Sequence, residues 1–579
     1  MAKLVADQIV DMLVEAGIKR LYAVTGDSLN HLNDAIRRDG RIEWIHVRHE
    51  ETGAYAAGAE AQLNGLACCA GSSGPGHVHL INGLYDAHRS GASVIAIAST
   101  CATIEFGSDY FQETNTIKLF ADCSCYNQIA TTSEQVPRML QAAIQHAIHK
   151  HGVAVLGLPG DIASDDARNI TTSTKVYKPN PIIRPSDEEI IELAALLNKE
   201  NNIAIYCGIG AVKAHDEIVE LGRLLNAPIS YSFRAKMGIQ HDNPYEVGMT
   251  GLLGLASAYR SMHDADVLLL LGTDFPYTPF FPEKNKIVQI DIQPERLGRR
   301  ANLDMGLCGD IKDSLSALIP HLKEKKSRDF LDAMQTFYKE VNQRMQTYVE
   351  DRGKEDAISP EFVAATLNKL ASSDAIFTVD TGMTNVWTAR YIEGTGQRML
   401  LGSFNHGSMA NAMPQAIGAA LAQPGREVYA LCGDGGLSML LGDLITIVQY
   451  HLPVKVIVFN NRSLGMVKLE MEVAGLPDWQ TSMLNPDFAA VAEAMGFKGF
   501  TVRSPNDLES TLTLAIHTPG PVLINIFTDP ASLAMPPKIE FSQLKGFALW
   551  MSKLMLGGRY EEVLEAIKSN YKHIKDINI

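Results

Sequence analysis

The feature that most constrains this chain is an alternation of short apolar strands with amphipathic helices, running from LYAVTG at Leu21 to PVLINIF ending at Phe527. Between them lie ACCAGSSG, SVIAIAST and VAVLGLPG, then NIAIYCGIG, DVLLLLGTD and KIVQIDI, then AIFTVDTG, VYALCGDGG and VKVIVFNN. Strands that are apolar along their whole length are buried on both faces, as in parallel sheets covered by helices. Many of these runs end in Gly, Asp, Ser or Asn, and ligands of open α/β sheets bind at the carboxyl ends of strands. The expected fold is therefore α/β, built from doubly wound parallel sheets.

A chain of 579 residues exceeds what a single core supports. Two seams divide it. At YKPNPIIRPSDEE prolines precede a helix start near Ser186, and the charged stretch from Leu322 to Pro360 reads as a connector. The expected units are 1–182, 183–335 and 336–530, followed by a tail over 531–579, and the first and third units are candidates for distant copies. A formal charge of -15 argues against nucleic acid, whose phosphates need a basic surface. MAKLVADQIVDMLVEAGIKR predicts an amphipathic helix with Val5, Ile9, Met12, Leu13 and Ala16 inward, rather than a signal peptide. No run of about 20 apolar residues occurs. The eight cysteines include no pair of CxxC motifs and are expected to be reduced, so the location expected is cytoplasmic.

The segments with chemistry sit at the ends of these runs. Gly433, Asp434 and Gly435 follow one strand, and Asn460 and Asn461 end the next, with 24 residues of helix and strand between the two motifs. One helix returns the chain to the same sheet edge, where an Asp and an Asn oxygen could share an octahedral Mg2+ that keeps phosphate oxygens as its other ligands. Either motif alone also fits a tight turn or a loop. RHEETGAYAAGAEA sets Glu50 before a small-residue helix, where its carboxylate would be poorly solvated, although acids also simply favour helix starts. GSSGPGHVHLINGLYDA is a glycine-rich turn before a helix, and NHGSMANAMPQAIGAA puts small residues at a helix start, suiting close approach of a cofactor. In CGIGAVKAHDEIVELG, Lys213 stands where a dinucleotide fingerprint has its third glycine, so that signal is weak. The tail places Leu564, Ile567, Tyr571 and Ile574 at helical spacing among Lys568, Lys572 and Lys575. Such a helix can lie in an anionic membrane interface or pack on its own subunit.

Together these segments resemble the thiamine diphosphate-dependent enzyme family, and MTGLLG, GTDFPY and QIDIQPE resemble FAD-contacting segments of its pyruvate oxidase and acetolactate synthase branch. GSDYFQET, DNPYEVGMTGL, SFNHGSMANAMPQA and LPVKVIVFNN are similar to the quinone-reducing pyruvate oxidases. The resemblance implies that Asp434, the Asn461 side chain and the Ser463 carbonyl hold Mg2+ on the diphosphate, beside Gly433 and Gly435. It implies that Gly407, Ser408 and Met409 contact the cofactor, Met409 propping its bent shape, and that Glu50 shares a proton with the aminopyrimidine. On the same grounds Thr250, Gly251, Leu252 and Leu253, then Thr273, Asp274, Phe275, Pro276 and Tyr277, and Asp291 would contact FAD. Phe111 and Gln112 would face the reacting carbon. Two departures stand out: His79 occupies a place where many relatives have Asn, and Met466 one where the quinone-reducing enzymes carry a mobile aromatic. The activity implied is oxidative decarboxylation of pyruvate to acetate and carbon dioxide, with electrons passing through FAD to a membrane quinone. The resemblance also implies a homo-oligomer, usually a tetramer, that associates peripherally with the inner face of the cell membrane through an anionic lipid surface. An acetolactate synthase-type carboligase with non-redox FAD, or an oxidase using oxygen, fits the same motifs.

Overall fold

In the computed structural model, which describes residues 3–167 and 175–532, every apolar run named above forms a parallel strand. The basic helix expected in the tail lies outside the described residues. The strands form three six-stranded parallel sheets. The first is ordered Glu43–His46, Arg20–Ala23, Ala67–Gly71, Val94–Thr100, Val153–Pro159, Tyr126–Ile129. The third is ordered Met399–Gly402, Ile376–Val379, Val428–Gly433, Val454–Asn460, Val522–Phe527, Lys498–Val502. Counted by sequence within each sheet, both run 2-1-3-4-6-5, so the two units share one topology.

The middle sheet differs. Its order is Met305–Cys308, Lys286–Asp291, Val267–Leu271, Ile203–Cys207, Ile229–Tyr231, Glu246–Met249, or 6-5-4-1-2-3 within the unit. That is the arrangement of doubly wound dinucleotide-binding folds, whose ligand crevice opens where the order reverses, between strands 1 and 4. In the outer sheets the reversal falls between strands 1 and 3.

The N-terminal helix, Val5–Ala16, buries Val5, Ile9, Met12, Leu13 and Ala16, as its periodicity predicts. All eight cysteines are free, and six of them are buried. No described helix is long and apolar enough to cross a membrane.

The first and third units meet through helices Glu50–Asn64 and Ala412–Ala422, both rich in Ala and Gly. Small side chains let the two backbones approach closely: a Cβ on Gly418 would stand 2.1 Å from the carbonyl oxygen of Ala56. From Ala412 onward, therefore, the small residues that the sequence suggested for a cofactor serve helix packing instead. Gln415 Nε2 donates to the buried Asp86 carboxylate at 3.0 Å across the same contact. The middle unit joins the third through Lys236, whose buried Nζ donates to the Ala389 carbonyl at 2.6 Å, and through Arg390, whose Nε donates to the Leu253 carbonyl at 3.2 Å.

Gly418→Val overpacks the helix contact and is expected to cost about 1–3 kcal/mol. A lower urea midpoint with an unchanged slope would show it, and an unchanged midpoint would show that the helices separate easily.

Candidate functional site

The third sheet brings its two sequence motifs to one edge. Gly433 pairs with Phe459 in the parallel ladder, so Asp434 and Asn460 emerge side by side. Asp434 is buried and opens the short helix Asp434–Met439. Its Oδ1 accepts the Gly435 N–H at 2.9 Å, and its Oδ2 accepts the Arg462 N–H and Asn485 Nδ2, each at 2.7 Å. Burial raises its carboxyl above the usual aspartate range, while the Asn485 donation acts in the other direction. The adjacent amides have separate tasks. Asn460 Nδ2 donates inward to Asn525 Oδ1 at 3.0 Å, whereas Asn461 Oδ1 accepts the Ser463 N–H at 3.0 Å across a turn with Arg462 at φ 55°.

A second carboxylate lies beneath this edge. Asp380, at the end of strand Ile376–Val379, is almost fully buried; its Oδ1 accepts the Ala412 N–H at 2.9 Å and its Oδ2 the Gly433 N–H at 3.2 Å. Burial pushes its pKa up to about 7. It also explains a glycine, because a Cβ on Gly436 would lie 2.2 Å from Asp380 Oδ2. A Cβ on Gly435 would meet Leu464 Cδ2 at 2.9 Å and Met409 Cε at 3.1 Å, which places Met409 against the Asp434 turn. Gly407 is left-handed at φ 78°, and the Ser408 hydroxyl accepts from Tyr55 Oη at 2.7 Å. Met466 is half-buried on helix Gly465–Val473, whose first residue abuts Asn461 Nδ2. Thr381 Oγ1, Asn385 Oδ1 and Ser463 Oγ are buried without a hydrogen-bond partner. Orphaned buried polar atoms at a strand-end edge are the state expected of a ligand site, and the donors and carboxylate here fit a diphosphate with its metal.

In the first unit the chain leading to Glu50 is fixed from the third. The Asp443 carboxylate accepts the N–H groups of Arg48 at 2.7 Å and His49 at 3.1 Å, and His49 Nδ1 caps the helix by accepting from Glu51 at 3.2 Å. Glu50 is only 8% exposed; its Oε2 lies 3.0 Å from His79 Nδ1, and the His79 ring stacks on His49 with centroids 4.6 Å apart. The Gly74–Gly76 turn touches two expected site residues. A Cβ on Gly76 would lie 3.4 Å from Glu50 Oε1, and one on Gly74 2.8 Å from Gln112 Cβ. Phe111, beside Gln112, is 77% exposed.

In the middle unit Gly208 and Gly210 pack onto the neighbouring strand end: a Cβ on Gly208 would lie 2.3 Å from the Gly272 carbonyl oxygen. The incomplete fingerprint is thus a close approach of two loops at the reversal point. The three flavin-type segments converge there. Gly251, at φ 116°, faces the Phe275 ring at 3.0 Å from its would-be Cβ, with Tyr277 beyond, and Thr273 accepts from Gln289 Nε2 at 3.2 Å. Asp274 is ion-paired with Arg299 and Arg300, and the Pro276 carbonyl accepts the Thr278 N–H at 3.1 Å. Asp291 is buried, which raises its carboxyl, and it accepts the Gln293 N–H at 2.9 Å. Thr250 Oγ1 is buried without a partner, while Leu252 and Tyr277 are partly exposed. An unsatisfied hydroxyl beside a left-handed glycine fits a dinucleotide at this crevice.

Three sets of predicted residues are thus assembled, one on each sheet. Among the described residues no hydrogen bond joins Glu50 or Gln112 to Asp434, Asn461 or the flavin-type segments. Sequence reasoning missed Asp380, Asp443 and Asn485. Asp380 alone carried a visible signal, as the polar end of AIFTVDTG.

Three doubly wound sheets, the middle and third each with a polar, partly unsatisfied edge at its reversal point, define a multidomain cofactor-dependent enzyme. Three family models match in order: thiamine pyrophosphate enzyme, N-terminal TPP binding domain, over residues 3–119; central domain, over 190–318; and C-terminal TPP binding domain, over 380–526. YdaP of Bacillus subtilis, whose name describes a thiamine pyrophosphate-containing protein, is 34% identical over 559 residues, covering 95% of this chain and 96% of its own. A pyruvate oxidase of Lactiplantibacillus plantarum is 32% identical over 523 residues, 88% of this chain and 86% of its own. An acetolactate synthase large subunit of Pyropia yezoensis is 28% identical over 536 residues, 89% and 90% of the two chains. The chain belongs to the thiamine pyrophosphate-dependent enzyme family.

Because Asp380 titrates near 7 when folded and at 3.8 in its reference state, the native protein holds a proton that the unfolded chain releases across that window. Its contribution to stability therefore falls as pH rises from about 4 to about 7. Unfolding midpoints of cofactor-free Asp380→Asn are expected to slope less steeply with pH across this range than those of the parent protein, and parallel slopes would refute the assignment.

Proposed function

We propose that the enzyme oxidises pyruvate and water to acetate and carbon dioxide, releasing two protons and two electrons, and delivers the electrons through FAD to a membrane quinone. What carries the reading is the middle unit, where three chain segments meet at the reversal point of a dinucleotide-type sheet beside the unsatisfied Thr250 hydroxyl. Similarity to a pyruvate oxidase along 88% of the chain supports the substrate.

When bound, thiamine diphosphate would supply a nucleophilic carbon and an electron sink, and FAD a two-electron acceptor. Asp434, Asn461 and the Ser463 carbonyl would hold Mg2+ and the diphosphate, with Gly433 and Gly435 giving close backbone approach. Met409, packed on the Asp434 turn, would hold the cofactor in place. Glu50, shielded from water and hydrogen-bonded to His79, would exchange a proton with a ring nitrogen of the cofactor. Phe111 and Gln112 would close over the substrate, and Met466 would fill the space opposite. Thr250–Leu253, residues 273–277 and Asp291 would hold FAD.

A second copy of the chain completes the site in this reading. Ile104, Tyr110, Phe111 and Ile117 of the first unit, and Val467, Leu476, Trp479 and Leu484 of the third, are exposed large apolar side chains on the chain segments that surround Gln112 and follow Met466. Apolar surface of that extent is usually covered by a partner. A tetramer of two such pairs, held at the inner face of the cell membrane by the basic tail, is the assembly proposed.

Similarity to an acetolactate synthase over 89% of the chain favours one rival, a carboligase that carries FAD without using its redox chemistry. Pyruvate added without oxygen is expected to bleach the flavin absorbance and yield acetate; an unbleached flavin with acetolactate formed would establish the rival. Glu50→Gln is expected to slow bleaching by about 100-fold or more. Truncation after Gly557 should weaken binding to anionic liposomes and quinone reduction while sparing ferricyanide reduction, and undiminished liposome binding would remove the tail from the mechanism.

A further inference from the structure

The loop that carries Phe111 and Gln112 projects from the first unit, yet it is not held by its own backbone alone. Asp109 and Gln112 both adopt left-handed conformations, φ 58° and 61°, which non-glycine residues keep only where their surroundings fix them. Glu113 closes the loop on itself, accepting the N–H groups of Gly107 at 2.6 Å and Tyr110 at 3.1 Å. Two further bonds tie it to the glycine-rich turn. Ser73 Oγ donates to Gln112 Oε1 at 2.9 Å, and His77 Nε2 meets Thr114 Oγ1 at 2.5 Å.

His77 is fully buried, and its ring packs at a steep angle on Phe120 with 6.0 Å between centroids. Its Nδ1 lies 2.8 Å from the Ser99 carbonyl oxygen at the end of strand Val94–Thr100. A carbonyl only accepts, so Nδ1 carries the proton; burial disfavours the cation and lowers the pKa of His77, so Nε2 is an acceptor. The Thr114 hydroxyl must then donate to it. The polarity runs in one direction, from Thr114 through the imidazole to a rigid central strand, and no water is needed to satisfy either nitrogen.

We propose that His77 is a positioning residue for substrate selection: its bond to Thr114 sets where Phe111 and Gln112 stand relative to the reacting carbon. The inference rests on the reading above that these two residues face the substrate. With the bond intact, the Phe111 ring limits the alkyl group of the 2-oxo acid to a methyl. With it broken, the loop relaxes, orientation of pyruvate is lost and a longer chain is admitted. The glycine-rich turn thereby touches Glu50 on one side and gauges the substrate loop on the other.

The bond can be cut from either end with little change in shape. In His77→Asn the amide nitrogen can take the place of Nδ1 on Ser99 while nothing reaches Thr114; Thr114→Val removes only the hydroxyl. Each variant is expected to lose about 10- to 100-fold in kcat/KM for pyruvate. The preference for pyruvate over 2-oxobutanoate should fall, and amide hydrogen exchange over residues 107–115 of the holoenzyme should quicken. Affinity of the cofactor-free protein for thiamine diphosphate and Mg2+ should stay as in the parent. The double variant should be no worse than the poorer single one, because both remove one interaction. Additive losses, or unchanged exchange and unchanged preference in both variants, would overturn the proposal. Gln112→Ala separates the two layers. If it impairs pyruvate turnover while the His77 and Thr114 variants do not, the proposal alone fails; if it leaves kcat/KM unchanged, the substrate-facing reading fails and the proposal falls with it.

Discussion

Asp380 accepts backbone N–H groups from Ala412 and Gly433 with its two carboxylate oxygens, and this one buried group organises the edge on which the rest of the third unit depends. A backbone N–H removed from water must find an acceptor, and a carboxylate offers enough lone pairs to serve two loops at once. The loop preceding Ala412 bears Met409, and the one after Gly433 bears Asp434. Because both are tied to the end of strand Ile376–Val379, they keep a fixed separation at the point where strand order reverses. The glycines of GDGG follow from this crowding: Gly436 yields space to Asp380, and Gly435 to Met409 and Leu464.

The same logic extends between units. Helix Glu50–Asn64 receives its orientation from the third unit, through Asp443 on the N–H groups that precede it and through Gly418 pressed on Ala56. The bonds that attach the middle unit include Lys236 to Ala389, Arg390 to Leu253 and the Gly394 N–H to Gln240. The Lys236 ammonium is buried, which lowers its pKa to about 8, so this attachment places a costly group where only a specific acceptor offsets its desolvation. Leu253 belongs to a flavin-type segment, and Arg390 to the helix that begins three residues after Asp380. One hydrogen bond and one helix thus link the crevice of the middle sheet to the Asp380 edge of the third.

How much of this was legible depended on burial. The eleven central strands were readable because both faces are covered and most of their residues are apolar, whereas seven strands, among them Glu43–His46, Tyr126–Ile129 and Lys498–Val502, mix exposed and buried positions or are only three or four residues long. Asp434 and Asn461 were legible from the spacing between their motifs. Asn485 was not, because a lone amide in a loop has no periodicity and acts only through contacts with Asp434 and Asn460. The glycines of CGIG looked like a damaged fingerprint, and their use in packing on Gly272 emerges only when the two strand ends lie side by side.

The sequence by itself determined the number of units, the parallel α/β character of each and the residue types at every strand end, since these follow from local periodicity and from the reach of one helix between two strands. Only the tertiary structure decided which of two adjacent asparagines turns outward, which carboxylate orders the edge and which histidine ties Thr114 to the central strand. Those choices depend on groups far apart in the chain competing for the same buried donors and acceptors, and that competition leaves no pattern along the sequence.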